Sequence, residues 1–123
     1  MDSNIIIDYA ANRLPQKGSN FVELIIDSDF LISVAVKIKV LGFPDLPEKM
    51  QSMEEFLNHS SVLPLNEEVT NKTITLRRLH KKLRLGDAII AATALVYNLT
   101  LLTRNLSDFK NIPELRLIDP HSL

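Results

Sequence analysis

The chain has 123 residues, of which 46% are hydrophobic and 24% charged, and it carries a net charge of −1 with no cysteine. These values indicate a single globular domain over residues 1–123, and they exclude disulfides, thiolate metal sites and a chain-wide attraction to nucleic acid. An acidic start and the lack of any long apolar run predict neither a secretion signal nor a membrane span, so we expect a cytoplasmic protein.

The amino-terminal half is predicted to alternate helices with one buried strand. The strand is the apolar, β-branched run of residues 30–34. Pro15 and Gly18 are expected to separate the first two helices, whereas Pro47 suits the first turn of a later one. The predicted elements of this half are helices over residues 3–12, 20–27 and 47–58, a helical turn over residues 36–41, and this strand.

The carboxyl-terminal half continues the alternation. Pro64 lacks an amide donor, so the strand over residues 61–65 should be short, and Asn66 is a favourable N-cap for the helix that follows. Because strands separated by helices form mostly parallel sheets covered on both faces, the sequence predicts the α/β class. An alanine-rich helix over residues 87–97 and strands over residues 100–103 and 115–118 complete the predicted order.

Basic side chains are concentrated near the end of the helix that Asn66 begins. Glu67 and Glu68 at its start and cations at its end offset the helix dipole, which favours a solvated helix end. The same cations directly precede Asp87, so they are also candidates for contacts with phosphate groups. We call residues 77–84 the basic segment; its candidate phosphate contacts are Arg77, Arg78, Lys81, Lys82 and Arg84.

Three aspartates from distant parts of the chain fall at the ends of predicted elements. Asp2 precedes the first helix, Asp87 begins the alanine-rich helix, and Asp108 follows the strand over residues 100–103. Taken singly, each is explained as a helix cap or a turn residue. Taken together, they are carboxylates at the junctions where α/β sheets gather ligand sites, and clustered oxygens suit Mg²⁺ or Mn²⁺.

Five segments of the chain resemble, in the same order, a PIN domain of the VapC toxin type. The two most specific are Gly-Asp-Ala-Ile-Ile-Ala at residues 86–91 and Thr-Arg-Asn followed by Asp-Phe within residues 103–109. The resemblance implies a three-layer α/β/α domain that is a metal-dependent endoribonuclease, the toxin of a toxin–antitoxin pair. It further implies Mg²⁺ or Mn²⁺ in an acidic pocket, a cognate antitoxin protein, an RNA substrate and a homodimer. The resembling segments are residues 2–9, 32–34, 41–43, 86–94 and 102–109.

The resemblance also implies roles for individual residues. Asp2, Asp87 and Asp108 match the first, third and fourth acids, which are the catalytic and metal-binding positions. Chemical reasoning agrees, because a carboxylate-held divalent ion activates water and offsets charge on a phosphodiester. We therefore expect the three carboxyl groups to converge. Polar support is implied for Asn4, Thr103 and Asn105.

The chain departs from the family pattern at two places. Lys39 stands where the second acid is expected, so one ligand is replaced by an ammonium that can pair with Asp2 or Asp87. Only Met1 precedes Asp2, whereas the family has an apolar central strand there, so the first strand is expected to be shortened or missing. Loss of a central strand would expose two strand edges.

These departures leave an alternative open. The first interpretation is a metal-dependent endoribonuclease impaired by Lys39; the second is a non-catalytic module of the same fold that binds a partner protein. A phospho-acceptor receiver domain also clusters aspartates at strand ends, but it expects an apolar strand before its leading acids, and Asp2 has none.

Overall fold

A computed structural model describes all 123 residues as alternating helices and short strands. Along the chain, two helices precede each of the first three strands, and one short helix precedes the fourth. The helices are α1 (Ser3–Ala10), α2 (Gln16–Asp29), α3 (Val34–Leu41), α4 (Pro47–Leu57), α5 (Glu67–Leu79), α6 (Leu85–Val96) and α7 (Leu106–Phe109). The strands are β1 (Leu31–Ser33), β2 (Ser61–Leu63), β3 (Leu101–Leu102) and β4 (Leu117–Ile118), and a 3₁₀ turn over Pro120–Ser122 ends the chain.

The strands form two separate parallel pairs. β1 pairs with β2 and β3 pairs with β4, each with a crossover through helices. The predicted α/β class and parallel pairing are therefore confirmed. The first two residues lie between the pairs: the Met1 amino group donates to the Leu31 carbonyl at 3.3 Å, and the Asp2 amide donates to the Leu102 carbonyl at 2.8 Å.

Alanines of α6 set the packing of the main core. Ala88, Ala91 and Ala92 are fully buried, and α6 packs more extensively against α5 than any other two elements do. Small side chains let the two helices approach closely, while Val69 and Leu76 of α5 fill the remaining space in the same cluster. A larger side chain at these alanines would overpack the core. No helix is both long and apolar enough to cross a membrane.

Three predicted boundaries need correction. α2 begins at Gln16 rather than residue 20, because Pro15 sits at the N-cap, where its missing amide costs nothing. α6 begins at Leu85 with Arg84 at its N-cap, so Asp87 lies within the first turn. The turn expected around Asp108 is the short helix α7. The short second strand and the Asn66 cap, whose side chain accepts from the Val69 amide, are confirmed.

Candidate functional site

A polar pocket of about 290 Å³ opens where the ends of four elements meet. The start of α1, the end of α3, the first turn of α6 and the segment after β3 each contribute side chains. The pocket combines three carboxylates with three cations, so its opposing charges nearly balance. The charged residues that line it are Asp2, Asp8, Asp87, Arg13, Lys39 and Arg104, and the amide side chains are Asn4 and Asn105.

Asp2 is buried and fully engaged by neutral donors. It is the N-cap of α1, and its Oδ1 accepts from the Ser3 amide at 2.7 Å. Its Oδ2 accepts from the Thr103 hydroxyl at 2.8 Å and from the Asn4 amide group at 3.4 Å. Thr103 is completely buried. The supporting roles expected for Asn4 and Thr103 thus have direct contacts in the structure, and both hold the Asp2 carboxylate in a fixed orientation.

Lys39 forms an ion pair with Asp87. The Lys39 ammonium donates to Asp87 Oδ1 at 3.1 Å, with 41% of the lysine side chain and 15% of the aspartate side chain exposed. The end of the lysine lies against Gly86: a Cβ there would meet Lys39 Cε at 2.9 Å. Glycine before Asp87 therefore leaves room for the lysine. The sequence-based expectation that this cation pairs with an acid of the site holds for Asp87.

A third carboxylate of the pocket, that of Asp8, was not anticipated from the sequence. Asp8 is buried. Its Oδ2 accepts a hydrogen bond from Arg104 Nη1 at 3.1 Å and lies 2.9 Å from His121 Nε2. Asn4 supports the same arginine, because its side-chain oxygen accepts from the Arg104 amide at 3.2 Å. A signal was available, since Asn4 and Asp8 are four residues apart on α1 and so share one helix face.

Asp108 does not join the pocket. It lies in the first turn of α7 and is exposed, and its amide donates to the Asn105 carbonyl at 3.1 Å. The residues of this segment that line the pocket are Arg104 and Asn105, which lie between β3 and α7. The expected convergence of Asp2, Asp87 and Asp108 is therefore not seen. Asp108 lies instead on the short helix α7 and does not line the pocket.

The donor set in this arrangement does not fit a divalent metal ion. No three acidic or histidine side chains lie close enough to hold one. Each pocket carboxylate also has protein partners already: neutral donors on Asp2, Arg104 and His121 on Asp8, and Lys39 on Asp87. A Mg²⁺ ion would have to displace these partners to reach the oxygens that it prefers.

The basic segment leads from the end of α5 to the start of α6. Arg77 and Arg78 occupy the last turn of α5, opposite Glu67 and Glu68 in its first turn, as the dipole argument predicts. Arg84 caps α6, three residues before Asp87. All five candidate phosphate contacts are exposed. The segment thus offers exposed cations to solvent and ends three residues before the pocket residue Asp87.

Comparisons with known proteins give a consistent family relationship. A model of the PIN domain family matches residues 1–115. The chain is 29% identical to Ribonuclease VapC of Rickettsia bellii, with 96% of this chain and 92% of the relative covered. It is 30% identical to Ribonuclease VapC2 of Rickettsia felis, with 95% and 93% covered.

Solved structures share the fold over nearly the whole chain. A chain in a toxin–antitoxin complex from Klebsiella pneumoniae superposes with a TM-score of 0.78 at 27% identity, covering 97% of this chain and 94% of that one. A chain in the structure of VapBC2 from Rickettsia felis bound to a promoter DNA fragment has a TM-score of 0.78 at 28% identity, with 95% and 94% covered.

Proposed function

The chain belongs to the PIN domain family, and from this membership we propose that it is a cytoplasmic VapC-type toxin whose endoribonuclease site is impaired by Lys39. Relatives named ribonucleases support the reaction class, and related structures of toxin–antitoxin complexes support an antitoxin partner. The substrate would be RNA, and the metal that the family uses would be Mg²⁺ or Mn²⁺.

The ion pair between Lys39 and Asp87 is the observation that carries the proposed impairment. A divalent ion and an ammonium compete for the same carboxylate charge, and at 3.1 Å the ammonium already holds Asp87 Oδ1. Asp2 alone is a poor substitute for Asp87 as a metal ligand, because its oxygens already accept hydrogen bonds from Ser3 and Thr103. The pocket therefore favours its metal-free state.

The basic segment supports contact with an RNA backbone. Its exposed cations end at Arg84, close in sequence to the pocket residue Asp87. Backbone phosphates are bound by such side chains without reading the base sequence, so these cations would position the RNA rather than select it. Arg13 and Arg104 extend positive charge into the pocket itself.

An exposed apolar stretch supports a protein partner. Ile38, Phe43 and Leu46 have 65%, 67% and 57% of their surface exposed, within nine residues of chain at the end of α3. Large apolar side chains exposed together mark interaction surfaces more often than isolated ones do. We assign this stretch to contact with the antitoxin or with a second copy in a homodimer.

Substitution of Lys39 tests the proposed impairment. The parent chain should cleave RNA little or not at all, whereas Lys39→Glu should cleave it when Mg²⁺ or Mn²⁺ is supplied. The substitution removes the competing ammonium and adds a carboxylate beside Asp87. Cleavage of a mixed-sequence RNA is measured across a metal titration, and Mn²⁺ binding is measured in parallel by calorimetry.

Lys37→Glu is the matched control. It makes the same charge change on the same helix, at an exposed residue with no ion pair in the structure. It should neither bind Mn²⁺ nor cleave RNA, and circular dichroism should show equal folding of all three proteins. Robust metal-dependent cleavage by the parent chain would contradict the impairment, because it would mean that the remaining acids suffice.

The engagement of every pocket carboxylate favours a second candidate, a non-catalytic module that binds a partner protein. Asp2, Asp8 and Asp87 are all held by donors within the chain. Suppose that Lys39→Glu binds no metal and cleaves no RNA, while this variant and the parent chain bind the antitoxin equally. The chain is then better described as a non-catalytic module that binds a partner protein.

A further inference from the structure

Two arginines of the polar pocket keep most of their hydrogen-bond donors unused. Arg13 lines the pocket but belongs to none of the three ion pairs of the chain. Arg104 uses a single guanidinium nitrogen, Nη1, which donates to Asp8. A guanidinium carries five N–H donors in a planar fork that matches the oxygens of a phosphate group. Both arginines can therefore bind an anion without giving up a contact within the chain.

The end of α1 determines where Arg13 lies. Asn12 has a left-handed backbone, with a φ of 56°, and its amide donates to the Tyr9 carbonyl at 3.1 Å. The Arg13 amide donates to the Asp8 carbonyl at 2.8 Å, which completes a Schellman motif. The next residue, Leu14, is buried. The backbone of Arg13 is thus held on both sides, while its side chain is exposed at the pocket.

Arg104 is held at its backbone and at one end of its side chain. Its amide donates to the Asn4 side-chain oxygen at 3.2 Å, and its Nη1 donates to the buried Asp8 carboxylate at 3.1 Å. The following amide, that of Asn105, donates to the Thr103 hydroxyl at 3.1 Å. With 53% of the Arg104 side chain exposed, its other nitrogens remain accessible. A guanidinium held in this way loses less conformational freedom when it binds a ligand.

The carboxylates of the pocket oppose an anion less than their number suggests. Two of them are already paired with cations, Asp87 with Lys39 and Asp8 with Arg104. The third, Asp2, is only 3% exposed and accepts hydrogen bonds from neutral donors. The positive charge of the other arginine is not offset by an ion pair. An anion that contacts the two arginines therefore meets acids whose charge is neutralised or buried.

We propose that Arg13 and Arg104 form a subsite for one phosphate group of an RNA backbone. The assignment to RNA rests on the proposed function, whereas the anion chemistry rests on the two guanidinium groups. The contact requires no metal ion, so it is present in the chain with Lys39. A free phosphate ion offers the same oxygens, and the experiment must separate these two sources.

Binding of RNA without metal tests the subsite. A short, fluorescent, single-stranded RNA of mixed sequence is titrated in EDTA with the parent chain, Arg13→Gln and Arg104→Gln, over a series of salt concentrations. Each variant should bind roughly three- to tenfold more weakly, because it loses a charged hydrogen bond. The slope of log affinity against log salt should also become shallower by about 0.7 for each lost phosphate contact.

Lys49→Gln is the matched control. It removes one positive charge from an exposed residue of α4 that does not line the pocket, so affinity and salt slope should stay at the parent values. Arg104→Gln deprives the buried Asp8 of a partner and can lower stability, whereas Arg13→Gln breaks no side-chain contact. Circular dichroism verifies the fold, and Arg13→Gln alone is sufficient for the test.

Two results would overturn the proposal, and they differ in what they say about the substrate. If the parent chain binds RNA and both arginine variants match Lys49→Gln, the subsite is wrong but RNA stands as the ligand of the chain. If the parent chain binds no RNA, the proposed substrate is wrong. Inorganic phosphate is then added while the side-chain Nε–H signals of Arg13 and Arg104 are followed by NMR. Shifts of both signals in that case would assign the subsite to free phosphate.

Discussion

The Lys39–Asp87 ion pair affects the charge of the pocket far more than the stability of the fold. With 41% of its side chain exposed, Lys39 is screened by water, and such pairs contribute about 0.2–1 kcal/mol to folding. For a cation entering the pocket, the same ammonium occupies one oxygen of the Asp87 carboxylate and adds a like charge beside it. Substitution of Lys39 therefore changes metal binding without a large change in unfolding free energy.

The Met1 amino group predicts a pH dependence of stability. Its pKa is about 6 in the folded protein and 8.0 in the unfolded one. Between these values the unfolded chain binds more protons, so the free energy of unfolding should rise as the pH increases from about 6 to 8, by on the order of 2–3 kcal/mol. Below pH 6 the penalty of the buried charge is fully present. Urea unfolding measured from about pH 5.5 to 8.5 checks this.

The Nα-acetylated chain is the control for this pH dependence. It keeps the Met1 side chain but has no ionisable amine, so the rise attributed to Met1 should disappear. A rise of the same size in the acetylated protein would assign it to other groups.

Two glycines in the first turns of helices should respond oppositely to alanine. Gly18 of α2 faces a backbone atom: a Cβ would lie 1.9 Å from the Pro120 carbonyl oxygen. Gly86 of α6 faces the flexible end of Lys39, which can move aside. We expect Gly18→Ala to lower the thermal midpoint by several degrees. Gly86→Ala should leave the midpoint unchanged or raise it, because alanine favours helix by up to about 1 kcal/mol.

Circular dichroism melts of both variants measure this difference. Lys17→Ala, an exposed change in the same turn as Gly18, is the control for helix propensity alone. A stabilising Gly18→Ala would mean that the terminal 3₁₀ turn does not pack on α2 as closely as described.

Helices were better predicted from the sequence than their boundaries or the strands. Asn66 and the alanines of α6 gave local signals, a side-chain cap and a small-residue face, and both features are present in the structure. The start of α2 was missed because Gly18 was interpreted as a break, whereas it permits a tertiary contact with Pro120. Tertiary packing of this kind leaves no periodic signal in one sequence.

The pocket was only partly predictable for the same reason. Asp2, Asn4, Thr103 and Asp87 could be named from motif positions, and Lys39 from its place in the pattern. Asp8 was missed because its partner His121 lies 113 residues away. Asp108 was named because it matches the family's fourth acid, but in the structure it is exposed on α7 and does not line the pocket.

For the whole molecule, the exposed apolar surface predicts association. Ile38, Phe43 and Leu46 each have more than half of their surface exposed in the isolated chain, at 65%, 67% and 57%. We expect a homodimer, or a tight complex with an antitoxin segment. We assign the contact surface to the exposed stretch over residues 38–46 at the end of α3. Light scattering should give at least twice the mass of one chain.

Phe43→Asp tests which surface associates. It should shift the mass toward that of a monomer, whereas Leu24→Asp, an equally drastic change on α2, should leave the mass unchanged. A parent chain that stays monomeric at high concentration, and binds no antitoxin, would contradict the association.

Contacts between the two ends of the chain delay assembly of the pocket during biosynthesis. Asp2 is held by Thr103, 101 residues later, and Asp8 by His121. A ribosome that has released only residues 1–100 has delivered α1, α3 and α6 but none of these partners. Closing such long loops is also entropically costly and slow compared with forming local helices. The polar pocket is therefore completed only after synthesis of the final fifth of the chain, after every helix except α7 has been released.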